Sequence, residues 1–245
     1  MKRYLKIKYL PLAVLSCGVL TCLLRLWLFA LGEDARGLLA VGSFPDVMSW
    51  LLVAAAMALL GISTWRLKGA VRFSQNFHAS LPAAIGMALA AVSFCITSAV
   101  GLAIKGDSVS TVSALFGFLS AAALLVLAFA RYKGAHLSVL FHGVVCVYLM
   151  VYLVSHYRLW SSYPQLQSYA FELLAIVFVM LACYQRAAAD AGKGDRRAYT
   201  FFSLAALFFC VATLPGCDNA VFFLGCAVWM YFTPCKLTLS VKKEN

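Results

Sequence analysis

Charge is what this chain has least of. Only 12% of its 245 residues are Asp, Glu, Lys or Arg, against about a quarter in an ordinary soluble domain. That excludes a largely solvated surface. No proline interrupts an apolar run: Pro11, Pro45, Pro82 and Pro164 stand at or just before the start of one, and Pro215 and Pro234 near an end. The broken helices at which many transporters hold their substrate are therefore not signalled. None of the nine cysteines forms a C-x-x-C pair, which removes a thioredoxin-like centre. Most of them lie in apolar runs, where a thiol behaves as a small hydrophobe. The metalloprotease pattern H-E-x-x-H and the hydrolase pattern G-x-S-x-G are missing as well. Gly192-Lys193-Gly194-Asp195 is too short for a phosphate loop and reads as a turn. No catalytic residue, cofactor or metal site is expected, and the reading points away from an enzyme.

What is present is apolar, 64% of the chain, and it falls in blocks of about 20 residues, the length that crosses roughly 30 Å of hydrocarbon. Eight spans are predicted, at 9–31, 45–65, 81–104, 109–130, 136–156, 165–187, 199–215 and 219–235. The first follows the basic segment Lys2 to Lys8 but exceeds the roughly 7–15 residues of a signal core, so it is expected to stay uncleaved. Sixteen of the twenty Lys and Arg residues fall on one side of this arrangement: the N-terminal tail, the loops after spans two, four and six, and the C-terminal tail. The opposite loops hold only Arg36, Lys105 and Arg158. Basic residues accumulate on the cytoplasmic side, so both termini are expected there. The net charge of +11 is thereby explained without nucleic acid.

The chain also carries an internal echo. Ser43-Phe44-Pro45-Asp46-Val47-Met48-Ser49-Trp50 is matched by Ser162-Tyr163-Pro164-Gln165-Leu166-Gln167-Ser168-Tyr169. Shorter matches join span one to five, three to seven and four to eight, at offsets of 125, 115 and 106 around the 119 of this pair. Order is kept and the offset only falls, the pattern of a duplication. The expected architecture is all-α and polytopic: eight transmembrane helices as two parallel four-helix repeats, residues 1–132 and 133–245. Small residues spaced by four, Gly86 with Ala90 and Gly117 with Ala121, mark close helix packing.

Two charges fall well within predicted spans, Arg25 and Glu172. Their matched depth predicts a pair, since an isolated intramembrane charge costs at least about 2.5–3.5 kcal/mol. In the repeat Arg25 aligns with Met150 and Glu172 with Val53, so the halves differ here most. One reading is an outward-facing polar pocket between the repeats, formed by Arg25, Asp46, Gln165, Ser168 and Glu172. The other is a structural salt bridge. His142, inside span five, reads as a packed, hydrogen-bonded histidine, because no second histidine matches its depth.

The segment Tyr157-Arg158-Leu159-Trp160, through Pro164-Gln165-Leu166-Gln167-Ser168-Tyr169, to Tyr184-Gln185-Arg186 resembles multi-pass membrane proteins of anaerobic Firmicutes that carry no assigned activity. The resemblance implies a bacterial cytoplasmic membrane and transfers no site. Small-solute binding or transport is the leading expectation. The alternative is a non-catalytic subunit or sensor that meets a protein partner at its cytoplasmic basic loops. Besides the lipid bilayer, a small solute and such a protein are the partners expected.

Overall fold

The computed structural model describes residues 9–31, 42–65, 79–103, 108–135, 138–160 and 169–233. Among the described residues the chain is helical: α1 (Leu10–Ala30), α2 (Phe44–Trp65), α3 (Leu81–Ala103), α4 (Ser108–Lys133), α5 (Leu140–Trp160), α6 (Ala170–Asp190), α7 (Arg196–Ala212) and α8 (Ala220–Phe232). Pro11, Pro45 and Pro82 occupy first-turn positions, where the missing N–H would have no helical partner anyway.

Six helices, α1 to α6, are long and apolar enough to cross a membrane, with mean hydropathies of 1.6 to 2.4. Their outer faces carry exposed Leu, Val, Ile and Phe, among them Leu23, Leu51, Leu89 and Phe129. A continuous apolar exterior of this kind suits hydrocarbon rather than water. The chain is an integral membrane protein. The last two helices are shorter, α7 with 17 residues and α8 with 13, or roughly 25 and 20 Å at about 1.5 Å per residue.

The helices α3, α4, α5, α6, α7 and α8 pack in sequence, and α8 closes back on α3. The α1–α2 hairpin lies outside this ring and packs on α7. Helix α7 is therefore surrounded, and every residue from Ser203 to Ala212 is buried. A helix apolar on all sides belongs in such a position. The helices that the expected repeat would match do not have matching neighbours: α3 packs on α4 and α8, whereas α7 packs on α1, α2, α6 and α8.

Two aromatic stacks bind the bundle. Phe94 of α3, Tyr152 of α5 and Phe222 of α8 stack at 5.0 and 4.6 Å between centroids. Trp50 of α2 meets Phe171 of α6 at 5.0 Å, and Phe178 of α6 stacks on Phe209 of α7 at 5.3 Å. Such pairs add about 0.5–1.5 kcal/mol each beyond area burial in soluble proteins. In lipid, packing contacts replace much of the hydrophobic driving force.

The ends of α6 differ from expectation. The helix begins at Ala170 and runs on to Asp190, rather than spanning 165–187. Ala187-Ala188-Ala189 are strong helix formers, so nothing stops the helix at Arg186. Its stop is a Schellman motif: Gly192 at φ +79°, Gly192 N–H to Ala189 C=O at 3.0 Å and Lys193 N–H to Ala188 C=O at 2.8 Å. Only a residue without Cβ adopts that φ cheaply. Asp195 then caps α7, accepting from Arg197 N–H at 3.0 Å.

Candidate functional site

Polar side chains gather at the two ends of the bundle. One end joins the C-terminus of α1, the N-termini of α2 and α6, and the α7–α8 turn. It holds three of the five residues expected to form a site: Arg25, Asp46 and Glu172. Gln165 and Ser168 lie outside the described residues.

Arg25 is buried in α1 at 4% exposure. Its Nη1 donates to the carbonyl of Ala212 at 3.4 Å, and the guanidinium lies 4.2 Å from the centre of the Phe171 ring. Ala212 is the last residue of α7. Carbonyls there have no helical donor and carry the negative end of the helix dipole, so Arg25 caps α7 from another helix. Asp46, in the first turn of α2, accepts from Gly42 N–H at 3.0 Å. Ser49, its neighbour on the same face, donates back to Pro45 C=O at 2.8 Å. Glu172 sits in the first turn of α6, where the positive end of the dipole favours an acid. Glu172, Cys217, Cys22 and Asp46 all lie within electrostatic reach of Arg25.

The direct Arg25–Glu172 ion pair expected from matched depth is not formed. Among the described residues Glu172, buried at 3% exposure, makes neither a hydrogen bond nor an ion pair. Two causes are visible. The later start of α6 brings Glu172 close to its helix end, and the C-terminus of α7 takes the guanidinium. Nearby, Asn219 Nδ2 donates to Tyr152 Oη at 2.9 Å and faces His156 Nε2 at 3.5 Å. His156 Nδ1 lies 3.0 Å from Tyr152 C=O. A proton on Nδ1 satisfies both contacts, since a carbonyl only accepts and the Asn amide nitrogen only donates. In the turn beyond, burial and the Glu172 charge push the Cys217 thiol up to about 12, so it is no nucleophile near neutrality.

The opposite end is built differently. Arg131 comes from the last turn of α4, His142 from the first turn of α5, Arg186 and Asp190 from the end of α6, and Tyr199 from the start of α7. They line a narrow cavity of about 40 Å³ that opens to the surface. Met87, Leu127, Trp229 and Met230 supply its apolar wall. Arg186 Nη2 lies 3.1 Å from Asp190 Oδ1, one helical turn away, and His142 Nδ1 lies 3.3 Å from Asp190 Oδ2. Arg131 is buried at 8% exposure and close enough to Arg186 for the two cations to repel. Two guanidiniums thus face one carboxylate, in a concavity with an apolar side. That is the composition of a small-ligand pocket: mostly apolar lining with a few convergent polar groups.

Comparison with protein-family models, with curated proteins and with solved structures yields no match. The geometry of the chain itself carries the argument.

The sequence reading takes His142 as a packed, hydrogen-bonded histidine, counts the basic residues after spans four and six as loop residues, and gives Asp190 no role. The structure keeps His142 buried, at 3% exposure, and packed against Asp190. The missed signal was local. Arg186 and Asp190 are spaced i, i+4, and the residues between them favour continued helix. Among the described residues no group of three His, Cys, Asp or Glu could hold a metal ion, and the eight described cysteines are free thiols.

Proposed function

We propose that this chain is a solute-binding or transport protein that receives a small anion in the cavity between α3, α4, α5, α6, α7 and α8. One observation carries this reading: two arginines, Arg131 and Arg186, converge with a single acid in a concavity that also has an apolar wall. Buried arginines favour anions because their planar forks make charge-assisted hydrogen bonds. On this reading α7 and α8 complete an eight-span bundle in a bacterial cytoplasmic membrane, with the cavity at the cytoplasmic end. The distribution of Lys and Arg along the chain supports that orientation. The ordered internal matches support an origin from two four-helix units.

The test is binding by purified protein in detergent, read by calorimetry with acetate, phosphate and sulfate as probes. Arg131→Met and Arg186→Met are each expected to weaken binding about tenfold to a hundredfold, from the roughly 1.5–3 kcal/mol of a charge-assisted hydrogen bond. If both variants bind as the unmodified protein does, the cavity is not an anion site.

The cluster of Arg25, Asp46 and Glu172, with Gln165 and Ser168, is the second candidate. It is favoured by the buried Glu172 carboxylate, which has no hydrogen bond among the described residues. A solute entering from that side would meet this acid. Loss of uptake in Glu172→Gln, with binding at the cavity unchanged, is the result that would favour it.

A further inference from the structure

The arrangement of Asp190 says more about the ligand. Asp190 is the last residue of α6, the helix end that carries negative partial charge and disfavours an acid. Arg186 on its own helix pairs with one carboxylate oxygen at 3.1 Å, and the His142 imidazole of α5 lies 3.3 Å from the other. The cavity therefore contains a seat with the shape of a carboxylate, filled by a side chain of the chain itself. Asp190 stands immediately before the α6 stop, where the Schellman turn at Gly192 begins. Its neighbours in the cavity are Arg131, Tyr199 and the apolar side chains Trp229 and Met230.

We propose that Asp190 is a resident anion in the seat of the ligand, and that the ligand is a carboxylate carrying an apolar chain, which displaces it. This rests on the anion-binding reading of the cavity and names its substrate class. A carboxylate is indicated because the seat already accepts one, oxygen by oxygen. An apolar chain is indicated by Met87, Leu127, Trp229 and Met230, which border the charged floor. The exchange makes and breaks no covalent bond. The ligand carboxylate takes the places beside Arg186 and His142, and the Asp190 side chain turns out of the cavity.

Binding of butyrate and of oleate, by purified protein in detergent, tests this. The same chemistry reaches the cavity free in water or as a lipid-derived acid, and the two probes separate these sources. Removing the resident charge with Asp190→Asn, or with Asp190→Ser should the first variant fold poorly, is expected to tighten binding by about tenfold or more. Asp195→Asn removes the same charge from the adjacent turn, outside the cavity, and is expected to change affinity less than about twofold. Tightening with oleate and no binding of butyrate supports the proposal and assigns the source to lipid. Equal or weaker binding in both Asp190 variants overturns displacement and leaves the cavity an anion site in which Asp190 positions Arg186. Binding of phosphate but of neither carboxylate overturns the substrate class alone. Loss of all anion binding in the unmodified protein overturns the cavity reading itself.

Discussion

Gly225→Leu is expected to prevent α8 from docking on α3, and with it the assembly of the bundle. A Cβ on Gly225 would overlap the Ser93 hydroxyl of α3 and press on the backbone of Ala90. Ser93 has no room to yield: it is buried at 4% exposure, and its hydroxyl is bonded to Ala90 C=O at 2.7 Å. Overpacking a tight core by a few methylenes costs about 1–3 kcal/mol when neighbours can shift, and here the first added atom already collides. Small residues permit this close approach of backbones in membrane bundles. The measurement is the fraction of monodisperse protein after detergent extraction, with its melting temperature. Gly61→Leu is the matched control, because nothing lies within 4 Å of a Cβ there, and it should behave as the unmodified chain does. Gly225→Leu protein that melts with the Gly61→Leu protein would contradict the packing of α8 on α3. Ser93→Gly in the same chain should restore part of the loss, since it removes the colliding hydroxyl.

Arg25→Leu is expected to cost about 1.5–3 kcal/mol, the range for a hydrogen bond made by a charged group. The leucine leaves the Ala212 carbonyl without its donor and vacates the face of Phe171. Glu172→Gln should cost much less, about 1 kcal/mol or below, because no hydrogen bond among the described residues is lost and a hydrogen-bond contribution is about that size. A double-mutant cycle between the two positions separates the pictures. Cap and helix-end charge acting independently give a small coupling, below about 1 kcal/mol. Coupling of about 3 kcal/mol would mean that the two side chains pair directly, as their depth in the sequence first suggested.

Much of the fold was legible because hydropathy reports directly on the environment of each block. The six long apolar helices, the prolines at helix starts and the close packing at Gly86 and Gly117 follow from rules that act over a few residues. Gly86 meets the backbone of Val228 at 3.3 Å from an added Cβ, as the small-residue spacing implied. The candidate site was less legible, for two physical reasons. Helix ends depend on caps: the Schellman turn at Gly192 fixes where α6 stops, and with it whether Arg186 and Asp190 lie inside a helix or in a loop. Which charges meet depends on contacts far apart in sequence. Arg25 finds Ala212, 187 residues away, and depth alone cannot identify a backbone carbonyl as the partner. The same holds for Arg131, His142 and Asp190, which come from three helices and converge only once the ring of α3 to α8 closes.

The position of α7 has a consequence for how the protein is made. Its sides are covered by α1, α2, α6 and α8, yet six of the described helices precede it in the chain. The α1–α2 hairpin precedes α7 in the chain, so it is made before the helix it packs on. Only once α7 is made does Arg25 gain the carbonyl it caps. The seam between α1–α2 and α7 therefore cannot be among the first contacts to form as the chain is made.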